Sequence, residues 1–343
     1  MEEGDFSMAY KINLSYHLKR PTLLFIILTI IIVPILKLLN IFTTDTLIIM
    51  MSFIGYAAAL NIIMGFTGYV DFGHTVFIGI SGYTYVLLIW YLEPFNILQH
   101  FGSGVGALIL AILAGLVSAV VAILVGYPVL KLRGAYFAIA TLGLDFAALY
   151  IVKSTVPALN PSQFMAAEIV LRRDLIVPKS MIFNAVLVAV SLTLLANYII
   201  SKSRFGIGLV AIKEDEDAAE DIGVPTTKYK IIAYSLSAFF TGLIGSLMVL
   251  NSGGVNEGAF HISHSIDMIV MLVIGGLGSV FGSILGGYIY YWLYDTLLVK
   301  FPGINLIILG IIVIIIILFA PEGITGIISK YKIKNIKLRD LID

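Results

Sequence analysis

The stretch Ala211 to Lys230, AIKEDEDAAEDIGVPTTKYK, is a charged insert between two long apolar runs at 181–200 and 231–250. Six acids, Glu214, Asp215, Glu216, Asp217, Glu220 and Asp221, surround Ala218, Ala219 and Ile222, whose spacing predicts a short helix with these three on one side. Acids near its start suit the positive end of the helix dipole. Gly223 followed by Pro225 is a helix exit. A greasy chain that holds out one short polar helix is expected to dock it into a partner, the plain alternative being a solvated loop.

The surroundings of this insert are apolar throughout. Of 343 residues, 59% are hydrophobic and 12% charged, with a mean hydropathy of +1.03, a composition that implies a polytopic membrane protein. Formal net charge is zero, so no basic footprint points to nucleic acid. Cysteine is absent, which excludes disulfides and thiolate metal sites. His261 and His264 are three apart but follow a Gly/Asn-rich loop without a carboxylate helix, so no metal or other cofactor is expected.

Segments of spanning length fall near 22–39, 46–64, 73–92, 105–130, 135–152, 181–200, 231–250, 266–298 and 304–320. The first 21 residues are polar and no small-residue cleavage signature follows the first run, which reads as a retained span. The run 266–298 is too long for one helix and is interrupted at Gly275-Gly276-Leu277-Gly278-Ser279. If the loop 201–230 and the basic tail 321–343 share the cytoplasmic side, that run must cross twice, giving ten spans and cytoplasmic termini. Fifteen of the 21 Lys and Arg then lie inside, consistent with the usual bias. The expected architecture is an all-α helical bundle forming a single transmembrane domain over 1–343.

Two glycine-rich breaks, 65–82 and 275–287, are places where irregular backbone can line a pathway. Tyr69, Asp71 and His74 in the first, Gly275, Gly276 and Gly278 in the second, and Asp145 inside a span are the candidate path residues. Asp71 and His74 have a second reading, as caps in a cytoplasmic turn. Asp145 and Asp267, costly at mid-bilayer, are expected to face the protein interior or water. Gly278, Gly282 and Gly286 recur every fourth residue and are expected to share a helix face for close packing. No phosphate-binding Gly-x4-Gly-Lys-Ser/Thr loop, Gly-x-Ser-x-Gly elbow or His-Glu-x-x-His helix occurs, so any nucleotide hydrolysis must come from a partner.

Several segments in order resemble the membrane permease of ATP-binding-cassette importers for branched-chain amino acids, the M-type subunit. They are Gly73-His74-x-x-Phe77-x-Gly79, Leu132-Arg133-Gly134-Ala135-Tyr136-Phe137, Ser203-Arg204-Phe205-Gly206, Ser237-Ala238-Phe239-Phe240-Thr241-Gly242 and the 275–279 glycine turn. The family's coupling pattern Glu-Ala-Ala-x-x-x-Gly is matched by Asp217-Ala218-Ala219 and Gly223, with Asp for Glu; Tyr69 and Asp71 stand where Gln and Ser are expected. The resemblance implies alternating access in the plasma membrane, with two ATPase subunits that close on ATP and the 214–223 loop as the dock that transmits that closure. It also implies an extracytoplasmic substrate-binding protein and a second, homologous permease subunit. The acidic loop would suit a basic ATPase surface. Urea or another small polar solute is the alternative cargo, and a secondary transporter the alternative mechanism.

Overall fold

The computed structural model describes residues 21–92, 103–159, 168–171 and 177–300, with some residues between 304 and 337. The expected helical bundle is what forms. Its elements are α1 (Pro21–Leu38), α2 (Thr44–Leu60), α3 (Thr75–Leu92), α4 (Ser103–Val129), α5 (Ala135–Leu159), α6 (Lys179–Lys202) and α7 (Arg204–Glu214). Then come α8 (Glu216–Asp221), α9 (Thr226–Ser252), α10 (Ser263–Gly275), α11 (Val280–Lys300) and α12 (Gly323–Lys330). Two short antiparallel pairings add little: β1 (Ile169–Val170) on β2 (Gly254–Val255), and Lys332–Ile333 on Ile336–Lys337.

Among the described residues, five helices are long and apolar enough to cross a membrane singly: α2 with its extension to Gly65, α4, α5, α6 and α9. Phe25–Leu38 and Thr75–Tyr91 are shorter apolar helices. The expected break in 266–298 is a bend of 118° between α10 and α11. At 1.5 Å per residue the 13 residues of α10 reach about 20 Å, less than the ~30 Å hydrocarbon thickness. These helices correspond to all the expected spans except 304–320, which lies largely outside the described residues. By length and composition the described helices give five crossings, or six with the bent α10–α11 pair counted as one, so they do not show the expected ten.

Helices α2 and α9 form the centre. Leu47, Ile48, Ala57, Ala58, Ala59 and Leu60 of α2 are fully buried, as are Ala233, Tyr234, Ala238, Ile244 and Leu247 of α9. In lipid there is no hydrophobic force between helices, so close approach needs small residues. They are present where α9 crosses its neighbours: a Cβ on Gly242 would meet Ser118 Oγ at 2.7 Å, and one on Gly115 would meet Phe239 O at 2.9 Å. Helix α3 runs parallel to α9 in constant register. His74 meets Thr241, a Cβ on Gly245 would touch Ile78 Cα at 3.2 Å, and Gly82 lies against Val249. By contrast α5 shows most of its surface, with Tyr136, Ile139, Phe146, Tyr150 and Ile151 exposed.

The bend between α10 and α11 is built on glycine. Gly276 and Gly278 take φ of +117° and +83°, which L side chains resist. The hairpin then closes so tightly that a Cβ on Gly275 would sit 1.9 Å from Gly282 O, and one on Gly286 would sit 1.9 Å from Met271 O. This corrects the expected Gly278, Gly282, Gly286 face. Gly278 precedes the helix and packs at Gly65 O instead, while Gly282 and Gly286 meet the chain's own α10.

Candidate functional site: a short acidic helix and a cleft at the other end of α9

The insert forms two helices. Ser203 caps α7, accepting from Gly206 N at 3.1 Å, and α7 runs to Glu214. Asp215 then leaves helical geometry, and its Oδ1 accepts from Asp217 N and Ala218 N, both at 3.0 Å, to start α8. The expected helix over 214–223 is thus six residues with Glu214 and Asp215 outside it. It ends as expected: Gly223 has φ +90°, its N–H donates to Glu220 O at 2.9 Å and Val224 N donates to Ala219 O at 2.9 Å.

The apolar residues expected on one side of this helix do not share it. Ala219 is buried, Ala218, about 100° round the helix, is exposed, and Ile222, the C-cap beyond the last helical residue, is 78% exposed. Inward, Ala219 seats α8 on the body of the protein; outward, Ala218 and Ile222 form an apolar strip flanked by acids.

The acids are also not all free for a partner. Lys230, one turn into α9 and 1% exposed, donates to Glu216 Oε1 at 2.6 Å, Leu130 O at 2.8 Å and Tyr69 Oη at 3.0 Å. Tyr69 donates a short hydrogen bond to the same Glu216 carboxylate. Burial, reinforced by that carboxylate, pushes the Tyr69 pKa well up, so the hydroxyl remains a donor. From the α4–α5 connection, Arg133 reaches Asp217 Oδ1 at 2.5 Å, with Glu216 at 3.6 Å and Glu220 at 3.9 Å. The hydrogen bond to Asp217 and the charge of Glu216 raise the Arg133 pKa further. Part of the acidity expected to face a basic partner is thereby neutralised at home.

Tyr69 belongs to a non-helical strap, 68–74, between α2 and α3. The strap follows one π-helical turn, Asn61–Gly65, in which buried Asn61 donates to Asn197 Oδ1 at 3.1 Å and accepts from Gly278 N at 3.0 Å. Lys213 of α7 donates to Gly65 O at 3.1 Å. Asp71 and His74 are both fully buried. Asp71 Oδ1 accepts from Gly73 N at 3.0 Å, and Oδ2 lies 2.8 Å from His74 Nδ1. His74 Nε2 lies 2.9 Å from Thr241 Oγ1 and 3.2 Å from Ser237 Oγ, both on α9. The contacts are those of the second reading: Asp71 caps the turn that opens α3, and His74 pins that turn to α9. Asp145 is 2% exposed on the inner face of α5 with Phe137 and Thr141, and its Oδ1 has no hydrogen-bond partner. Asp267 accepts from Tyr290 Oη at 2.5 Å.

Helix α9 has 27 residues, about 40 Å. The α8 cluster surrounds its first turn. A cleft of about 580 Å³ lies against its last turns, lined by Ser52, Phe53 and Tyr56 of α2, Ile78 of α3, Gly245 and Met248 of α9, and Asn256 and His264 beyond. None of Tyr69, Asp71, His74, Asp145, Gly275, Gly276 and Gly278 lines it. The backbone groups expected to be offered by the glycine breaks are engaged within the chain, Gly65 O by Lys213 and Gly278 N by Asn61. Of the lining residues only His264 stood out in the sequence, and for a metal site that was not expected; the rest come chiefly from α2, α3, α9 and the 253–259 turn and are brought together by packing.

Ile78 and Gly245, which line the cleft, stand one helical turn from His74 and Thr241. A bundle of apolar helices of membrane-spanning length, with a charged helix at one end of α9 and a cleft at the other, fits a membrane permease. The chain belongs to the family of permease components of branched-chain amino acid transport systems, which it matches over residues 37–317.

Among its relatives is the high-affinity branched-chain amino acid transport permease LivM of Salmonella typhimurium, 27% identical over 310 residues, 82% of this chain and 69% of the relative. LivM of Escherichia coli is 27% identical over 322 residues, 85% of this chain and 72% of the relative. A probable branched-chain amino acid permease, LivH of Methanocaldococcus jannaschii, is 27% identical over 203 residues, 55% of this chain and 63% of the relative. No solved structure matches the chain significantly.

Proposed function

We propose that this protein is one of two permease subunits of an ATP-binding-cassette importer that carries branched-chain amino acids across the plasma membrane. Helix α8 faces the cytoplasm, where the outward strip of Ala218, Ile222 and Gly223 enters a groove on an ATPase subunit. Two such subunits close on ATP, and a binding protein delivers substrate to the opposite end. The observation that carries this reading is the polarity of α9: the anchored helix α8 stands at its first turn and the cleft at its last.

Ser52, Tyr56, Asn256 and His264 supply polar contacts in the cleft beside Phe53, Ile78 and Met248, a mixture suited to a small zwitterion with an apolar side chain. The carrier need not hold it tightly, because the binding protein supplies selectivity and a weak internal site lets cargo leave. The run 266–298 crosses twice, leaving both termini cytoplasmic.

The test is reconstitution in proteoliposomes with the ATPase and binding-protein products of neighbouring genes. Leucine, isoleucine or valine should stimulate ATP hydrolysis and accumulate inside. Uptake of urea or a sugar with no leucine-stimulated hydrolysis would refute the amino-acid assignment. Uptake driven by an ion gradient without ATP would refute the importer class.

A further inference from the structure

The strap 68–74 bonds α8 at one end and comes within one helical turn of the cleft residues Ile78 and Gly245 at the other. At one end Tyr69 donates to Glu216 of α8 and accepts from Lys230 at 3.0 Å. At the other His74 lies 2.9 Å from Thr241 and 3.2 Å from Ser237, one helical turn from the cleft residues Ile78 and Gly245. Between them Asp71 ties the turn to His74 at 2.8 Å, and Phe72 N donates to Thr141 Oγ1 at 3.2 Å. A segment this short, with both ends and its middle bonded in a buried setting, transmits displacement rather than absorbing it.

We propose that Tyr69 is a positioning residue for transport: its hydroxyl ties the short acidic helix α8 to the strap, so that a tilt of α8 shifts His74 against Thr241 and Ser237. The proposal rests on α8 being the ATPase dock. Glu216 bonds the strap at Tyr69 and α9 at Lys230. A rotation of α8 therefore moves two elements by different amounts, and the bonds that shear are those beneath the cleft. Separating Glu216 from Tyr69 instead would remove a hydrogen bond to a carboxylate that keeps only 12% exposure, leaving Lys230 and Arg133 as its partners. Arg133, half exposed and bound to Asp217, Glu216 and Glu220, steadies the outer side of α8 without reaching the strap.

The quantity to read is substrate moved per ATP hydrolysed, in proteoliposomes holding the whole complex. Tyr69→Phe keeps the ring against Phe137, 5.0 Å between centroids, and under the Lys230 ammonium at 4.6 Å, and removes only the hydroxyl. Transport per ATP should fall at least tenfold. A merely structural loss would lower transport and hydrolysis together and leave the ratio intact, which would overturn the proposal. A second variant, Tyr69→Cys with Glu216→Cys, uses the absence of native cysteine. Its ratio should be low when reduced and recover when a short bifunctional thiol reagent rejoins α8 to the strap; cross-linking without recovery would also overturn it. A wild-type complex whose hydrolysis ignores substrate would instead sink the importer reading itself.

Discussion

Lys230→Met should be the most damaging single change at the α8 end of the protein. The ammonium is 1% exposed and has three oxygen partners, Glu216 at 2.6 Å, Leu130 O at 2.8 Å and Tyr69 Oη at 3.0 Å. Removing one partner of a buried ion pair costs ~3–5 kcal/mol. Here the Glu216 side chain keeps 12% exposure and Arg133 Nε stays 3.6 Å away, so the loss from the charge falls near the lower bound, about 3 kcal/mol. The orphaned Leu130 carbonyl adds ~1 kcal/mol or more.

The double variant Lys230→Met with Glu216→Gln separates these causes, since it removes the stranded charge and keeps the stranded carbonyl. It should recover most of the loss while remaining below wild type. The measurement is thermal unfolding of the detergent-purified permease, alone and with its ATPase, across wild type, both single variants and the double. A double variant no more stable than Lys230→Met would show that the cost comes from packing or from Leu130, and that the buried pair is not what fixes α8.

Gly223→Ala should weaken α8's exit by ~1–2 kcal/mol, because φ +90° disfavours any Cβ although nothing lies within 4 Å. Gly223→Arg, bulkier at the same exposed point, should uncouple transport with the permease still in the membrane; normal substrate-stimulated hydrolysis would count against docking there. Gly286→Ala places a methyl 1.9 Å from Met271 O and should open the α10–α11 hairpin, seen as loss of a monodisperse species on size exclusion; unaltered elution and thermal stability would refute that packing. The double crossing of 266–298 is tested by cysteine labelling from either side. Leu277→Cys is the better reporter, being 40% exposed, whereas Gly278 has φ +83° and packs on Gly65. Labelling of position 277 only from outside would refute the ten-span topology.

Hydropathy alone determines that this chain is a helical membrane bundle, because a lipid core leaves the backbone no other way to satisfy its polar groups than a helix or a closed barrel. The Gly275–Ser279 break and the Gly223 stop were legible for a related reason: positive φ is nearly a glycine property, so local sequence announces the turn. The resemblance carried by the ordered motifs pointed to the family that the match over 37–317 shows. Periodicity did not give the inward and outward sides of α8, since six residues are too few to set a face.

Tertiary structure alone decided the site. Tyr69, Lys230 and Glu216 are 147 and 161 residues apart along two of their pairings, and nothing local in any of them says that they share one buried hydrogen-bonded cluster. His74 is a similar case, readable as a cap or as a path residue until packing sets it 167 residues along the chain against Thr241. The cleft was invisible for the opposite reason: Ser52, Phe53, Tyr56 and Ile78 are ordinary span residues, and only the packing of α2, α3 and α9 brings them around one space. Local backbone chemistry fixes where a membrane chain turns. Which polar side chains then find one another depends on how the helices pack, because in a medium without water each must find its partner within the protein.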